Sequence, residues 1–183
     1  MKLSVVAFLL SMTLVEFEVH AQISSGPNAG TPLAPLMVFA VTGDHAGKTI
    51  DINAEIGPKP TIYLFVPHDR LDRPLARVIK AVEKGTVEAG KDSNLVTIFL
   101  TNNEAKTKEH LLRIQMSLQF TSNPLMVYPD AIKGPAEWLL NSDAQLTAIV
   151  AKEGKVAASF GFRTVDETVG PEILAALKKA ITP

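Results

Sequence analysis

The sequence predicts an α/β domain, a three-layer sandwich around a mixed central sheet, and three observations carry that prediction. Two runs, 61-TIYLFV-66 and 95-LVTIFL-100, are continuously apolar and rich in β-branched and aromatic residues. Strands buried on both faces read this way. Each run is followed by a segment whose apolar residues recur with the spacing of a one-sided helix. Near each end of the chain, a pair of strand-like runs joined by a Gly-containing turn reads as an antiparallel hairpin. Apolar strands alternating with helices imply parallel pairing with helices on both faces, and the hairpins make the sheet mixed.

The elements follow in order along the 183 residues. Residues 1–21 read as a signal peptide, with a minimal basic start at Met1-Lys2, an apolar stretch from Leu3 to Val15, and Val19-His20-Ala21 before a cleavage site at Gln22. That apolar stretch falls short of the ~20 residues a membrane span needs; an uncleaved anchor is the alternative. Residues 22–35 (QISSGPNAGTPLAP) read as a flexible mature N-terminus because Gly, Pro, Ser and Asn dominate. The domain proper is 36–183. Residues 36–42 (LMVFAVT) and 48–52 (KTIDI) form a hairpin around the turn 43–47.

After the strand 61–66, Asp72 is placed to cap a helix that begins at Pro74, and Leu75, Val78, Ile79 and Val82 give it one apolar face. Gly85 or Gly90 ends it. Strand 95–100 leads through Thr101-Asn102-Asn103, all capping residues, into a helix over 104–119 marked by Leu111, Ile114, Gln115 and Leu118. Residues 125–128 (LMVY) are a short strand. Residues 129–142 are irregular, with one helical turn around Trp138. Strands 146–151 and 155–162 pair through Lys152-Glu153-Gly154-Lys155. Gly170-Pro171 opens a last helix bearing Ile173, Leu174, Leu177 and Ile181.

Composition closes several function classes. Removing 1–21 lowers the basic count from 18 to 17 and the acidic count from 19 to 17, so the mature chain is formally neutral. No clustered Lys and Arg suggest a nucleic-acid or membrane surface. The chain has no cysteine. Dithiol exchange, peroxidatic thiol chemistry, Cys-ligated metal and a lipoprotein anchor are therefore closed to it. No nucleophile elbow, phosphate-binding loop, zinc-protease motif or dinucleotide turn occurs. No cofactor is implied.

Several local strings resemble the thioredoxin-like superfamily. Asp44 to Ile52 (DHAGKTIDI) is similar to the N-terminal hairpin of its exported members and of peroxiredoxins. Gly57-Pro58-Lys59-Pro60 ahead of TIYLFV is similar to the entry into its central strand. Leu146 to Val156 (LTAIVAKEGKV) is similar to its last hairpin. The resemblance implies a thioredoxin-like three-layer α/β/α sandwich with a mixed central sheet and an N-terminal β-hairpin extension. It also implies two positions that this chain fills differently. The paired cysteines would fall near Arg70 and Arg73, and the cis-proline near Gln145. A non-proline cis bond costs ~2.5–4 kcal/mol, so a trans bond and a remodelled groove are expected at Gln145.

Around that lost redox centre, His68, Asp69, Arg70, Asp72 and Arg73 cluster between a strand and a helix. A histidine with two aspartates suits acid–base chemistry, and the arginines suit an anionic ligand or a partner carboxylate. Equally, the loop reads as a solvated cap with Arg70 and Arg73 paired to Asp69 and Asp72. His110 reads as a surface residue. Trp138 is either a core plug or an exposed anchor for a partner. The expected function is an exported, redox-inactive module for protein binding or assembly, contacted at 67–73, 142–146 and Trp138. Its expected partner is another exported protein, with no stable membrane insertion after cleavage. The alternative is a non-thiol enzyme or small-ligand binder using His68, Asp69 and Asp72.

Overall fold

The computed structural model describes residues 22–90, 92–129 and 133–182; the expected signal peptide lies outside them. Their strands form one sheet: β1 (Gln22–Ile23), β2 (Met37–Ala40), β3 (Thr49–Asp51), β4 (Thr61–Pro67), β5 (Asn94–Leu100), β6 (Leu125–Tyr128), β7 (Leu146–Lys152) and β8 (Lys155–Phe162), in the order β1-β8-β7-β4-β5-β6-β2-β3. β4, β5 and β6 are parallel, while β7 runs antiparallel to β4 and β8 antiparallel to β7. β4 has neighbours on both sides and layers above and below. Every residue from Thr61 to Pro67 is buried, which is the physical origin of its unbroken apolar run.

Four α-helices among the described residues complete the fold: α1 (Ile52–Ile56), α2 (Arg73–Ala89), α3 (Glu104–Leu118) and α4 (Val169–Ile181). The Asp72 carboxylate accepts from the Leu75 amide at 2.9 Å, and Asn103 likewise caps α3 through the Lys106 amide. Leu75, Val78, Ile79 and Val82 are buried as their spacing requires. Helices α2, α3 and α4 all pack on one face of the sheet. Right-handed crossovers that step the same way along a sheet place their helices on the same side, and β4-α2-β5-α3-β6 is such a series. The other face is covered more thinly, by α1, the 3₁₀ turn Ala136–Trp138 and the irregular segment leading into β2.

Three details depart from the sequence expectation. Ile52 opens α1 rather than closing a strand, because the Asp51 side chain accepts from the Asn53 amide at 3.1 Å and caps a helix there. Gly90, not Gly85, ends α2; Gly85 sits inside it where a Cβ would lie 2.2 Å from Leu174 Cδ1, so its role is close approach of α4.

The third departure is larger. Residues 22–35, expected to be flexible, are docked along the β7–β8 hairpin. β1 pairs with β8 at Phe162 and Gly161. The buried Ser25 hydroxyl lies 2.6 Å from that of Thr147 and accepts from the Asn141 amide at 2.9 Å. The amides of Gly26, Gly30 and Leu33 donate to the carbonyls of Leu139, Val156 and Gly154. β8 would otherwise be an open edge, and covering it removes a row of unpaired backbone groups. A composition rich in Gly, Pro and Ser reports local propensity; it carries no record of partners more than a hundred residues away.

Gly161 makes this docking possible, since a Cβ there would meet the Ile23 carbonyl oxygen at 2.5 Å. Gly161→Ala is therefore expected to destabilise by about 1–3 kcal/mol. Hydrogen exchange should quicken at Gly26 and Gly30 and stay unchanged in α2. Uniform exchange would show that the segment does not lean on this contact.

Candidate functional site

The loop between β4 and α2 is stitched to the residues before β7. Pro67 ends β4, a 3₁₀ turn spans His68–Arg70, and Asp72 starts α2. Arg70 donates from Nη1 to the Ala144 carbonyl at 3.0 Å. Gln145 answers by donating from Nε2 to the Arg70 carbonyl at 3.2 Å and to Asp72 Oδ2 at 2.9 Å. Its own amide donates to the Phe162 carbonyl at 2.7 Å. Gln145 thus holds the implied proline position directly before β7, and all peptide bonds among the described residues are trans. Side-chain hydrogen bonds thus tie the two loops together along the floor of a shallow depression.

This geometry revises one pairing. Arg70 bonds a main-chain carbonyl rather than Asp69 or Asp72. Asp69 and Arg73 are exposed and form no ion pair among the described residues. Arg163 and Asp143, both largely exposed, form an ion pair at 3.6 Å, and Arg163 lines the same depression as Asp69, Asp72 and Gln145. The result is a shallow surface with charges of both signs around a fixed centre.

His68 pairs with a second histidine rather than with the acids expected to serve it. Its Nε2 lies 2.8 Å from His110 Nδ1, the two rings stand nearly perpendicular with centroids 5.0 Å apart, and Phe99 meets its edge. Burial lowers the His68 pKa; His110 and Lys106 lower it further, and Asp69 partly opposes them. The Asp72 carboxylate accepts from the Leu75 amide and from Gln145, whereas the His68 ring bonds His110, so the two are not a hydrogen-bonded pair. His110, expected on the surface, is half-buried as the partner of His68. The parallel register of Pro67 with Leu100 brings the two loops together, and that neighbourhood was implicit in the β-α-β order. The specific imidazole contact across 42 positions had no local signature.

The sign of the pH effect follows. The folded-state pKa of His68 lies below the unfolded value of 6.5, so the unfolded chain takes up the proton first. Stability should be retained above 6.5 and lost as pH falls from there through the folded value. Urea midpoints are expected to drop between about pH 7.5 and pH 5, with a smaller drop in His68→Gln. An unchanged pH slope in that variant would refute the assignment.

Trp138 is not part of this surface. It is 1% exposed, and its ring packs against Tyr63 at 5.3 Å and Phe65 at 5.1 Å. Of the residues expected around the former active site, His68, Asp69, Arg70, Asp72, Arg73 and Gln145 do come together, whereas Trp138 is the plug beneath the opposite face of the sheet. No group of three or more His, Asp or Glu side chains suited to a metal occurs among the described residues. No helix among them is long and apolar enough to cross a membrane.

No protein-family model matches the chain, and no curated protein does. Solved structures match it at low identity. A DsbF homologue from Corynebacterium diphtheriae aligns with a TM-score of 0.60 and 12% identity over 94% of this chain and 98% of that one. A thioredoxin-like protein from Porphyromonas gingivalis gives 0.61 and 14% over 84% and 94%. A peroxiredoxin-like protein from Aquifex aeolicus gives 0.54 and 14% over 88% and 92%. The chain therefore has the thioredoxin-like fold, and it has that fold without a cysteine. That absence argues against thiol oxidoreductase activity.

Proposed function

We propose that this chain is an exported, redox-inactive thioredoxin-like domain that binds another protein through the surface of Asp69, Arg73, Asp143 and Arg163. The carrying observation is the stitch of Arg70 and Gln145, which fixes two loops against each other. A surface already ordered loses less freedom on association. It is shallow, which suits a protein better than a small molecule. Its exposed charges of both signs suit complementary docking. Export is supported by the charge and hydropathy pattern of residues 1–21; amino-terminal sequencing of protein from the exported fraction should begin at Gln22.

A photo-cross-linking residue placed at Asp69 or Arg163 should trap a discrete partner in that fraction. The same residue at the exposed Lys59, at the other end of β4, should not. Arg163→Glu should weaken capture several-fold, as expected for a rim charge worth about 1 kcal/mol. Equal trapping from Lys59, or none from any position, would overturn the proposal. The second reading, a non-thiol enzyme or small-ligand binder at His68, Asp69 and Asp72, has one observation in its favour. His68 is half-buried with a depressed pKa beside His110, a setting in which a neutral imidazole can accept a proton.

A further inference from the structure

His68 and His110 present ring nitrogens to each other from two elements that are fixed separately. His68 opens the 3₁₀ turn after β4, and Arg70 in that turn is tied to Ala144. His110 lies in the middle of α3, next to Leu111, which is buried in the core. The pairing of Pro67 with Leu100 sets the two elements side by side. Main-chain packing therefore brings the imidazoles together, and a site held on packed elements is better preset than one on a free loop.

The spacing of the two nitrogens suits two occupants. His68 Nε2 and His110 Nδ1 are 2.8 Å apart, with the ring planes at 83°. A proton fits that separation as it stands. A divalent transition metal about 2.0–2.1 Å from each nitrogen needs about 2.9–3.4 Å between them, for bond angles of about 90–109°. Small side-chain rotations supply the difference. Both residues are half-buried and line a recess of ≈ 400 Å³ with Lys106, Glu109 and Arg113. Among the described residues no third histidine or carboxylate completes a ligand set, so water from the recess must fill the other positions. The charges around the pair are mixed. Arg113 is paired with Glu109, and Lys106 and Asp69 act on His68 with opposite sign. Selection then rests on the imidazole lone pairs, which favour copper, nickel and zinc over magnesium and calcium.

We propose that His68 Nε2 and His110 Nδ1 bind a divalent late transition metal ion, Cu²⁺ or Zn²⁺, with water in its remaining positions. A neutral imidazole carries one ring proton. On binding, the proton between the rings moves to the far nitrogen of its own ring. That leaves Nδ1–H on His68 and Nε2–H on His110, and both facing lone pairs go to the metal. The ion bridges the β4–α2 loop to α3, so it should raise stability by mass action. This site does not rest on the protein-binding surface, and either can fail alone.

The test is titration of the ¹⁵N-labelled protein with ZnCl₂, CuSO₄ and MgCl₂ in a non-coordinating buffer at about pH 7.5, where imidazole is mostly neutral. The imidazole nitrogen signals are followed. Zn²⁺ should shift His68 and His110 and saturate at one equivalent, Cu²⁺ should broaden the same two residues, and Mg²⁺ should do neither. His68→Gln and His110→Gln should each weaken Zn²⁺ by at least about tenfold and remove the rise in Tm. Lys106→Gln removes a nearby positive charge and should tighten Zn²⁺, a gain that a merely structural disturbance would not give. His45 pairs with Glu55 beside the first residues of β5, at the other end of the sheet; His45→Gln should leave the affinity unchanged. No saturable shift at the pair would overturn the proposal and leave a proton-sharing contact. So would an equal response to Mg²⁺, or Zn²⁺ affinity unchanged in His110→Gln.

Discussion

Trp138→Ala is expected to lower stability by about 3–5 kcal/mol, on the order of 10 °C in Tm. The reason is the thinness of the layer it belongs to. One face of the sheet is covered by α2, α3 and α4, but the other relies on α1, the docked N-terminal segment and the 3₁₀ turn that carries this indole. Trp138 contacts Tyr63 and Phe65 of the central strand edge-on and tilted, geometries that favour aromatic pairs beyond their buried area. Truncation leaves a hole that a short turn cannot collapse to fill. Trp138→Phe should cost less than half as much, because it keeps a ring and removes an indole N–H that has no partner. Urea midpoints from far-ultraviolet circular dichroism measure both. An alanine cost below about 1 kcal/mol would remove the plug reading and return Trp138 to the surface.

The second large effect is expected at Glu83. It is 3% exposed, and its carboxylate accepts three hydrogen bonds: from the Thr121 amide at 2.7 Å, the Ser122 amide at 2.8 Å and Lys80 Nζ at 2.6 Å. Lys80 also donates to the Gln119 carbonyl and lies over the Phe120 ring. Glu83→Ala leaves two backbone donors without their acceptor, at about 1–3 kcal/mol each, while the partly exposed Lys80 ammonium keeps the Gln119 carbonyl. Glu83→Gln keeps a neutral oxygen for the two amides and should cost markedly less, since hydrogen bonds to charged groups are roughly twice as strong. Exchange at Thr121 and Ser122 should accelerate in the alanine variant before exchange in β5 does. If all amides accelerate together, Glu83 supports the whole domain rather than this segment.

How far these features were readable varies with their cause. The runs 61–66 and 95–100 were legible because burial on both faces removes polar residues from a strand altogether. Asp72 and Asn103 were legible as caps because a cap acts within three residues. The buried face of α2 was legible from Leu75 to Val82, yet Glu83 beside it and its partners Thr121 and Ser122 were not. The loop 67–73 and Gln145 were placed together correctly through the family resemblance. The bonds that join them were not foreseen, since Arg70 was expected to pair with its own neighbours. His68 was singled out for its position, but its contact with His110 was not foreseen.

Local patterning in this chain fixes which residues form strands and helices, their order, and therefore the thioredoxin-like frame; the missing cysteine argues against thiol chemistry before any coordinate is known. These are short-range properties, written in period, propensity and composition. The docking of residues 22–35 on β8, the His68–His110 contact and the depth of Trp138 each depend on groups distant in sequence. Such contacts are chosen by chain topology and steric fit, and they leave no periodic trace along the chain.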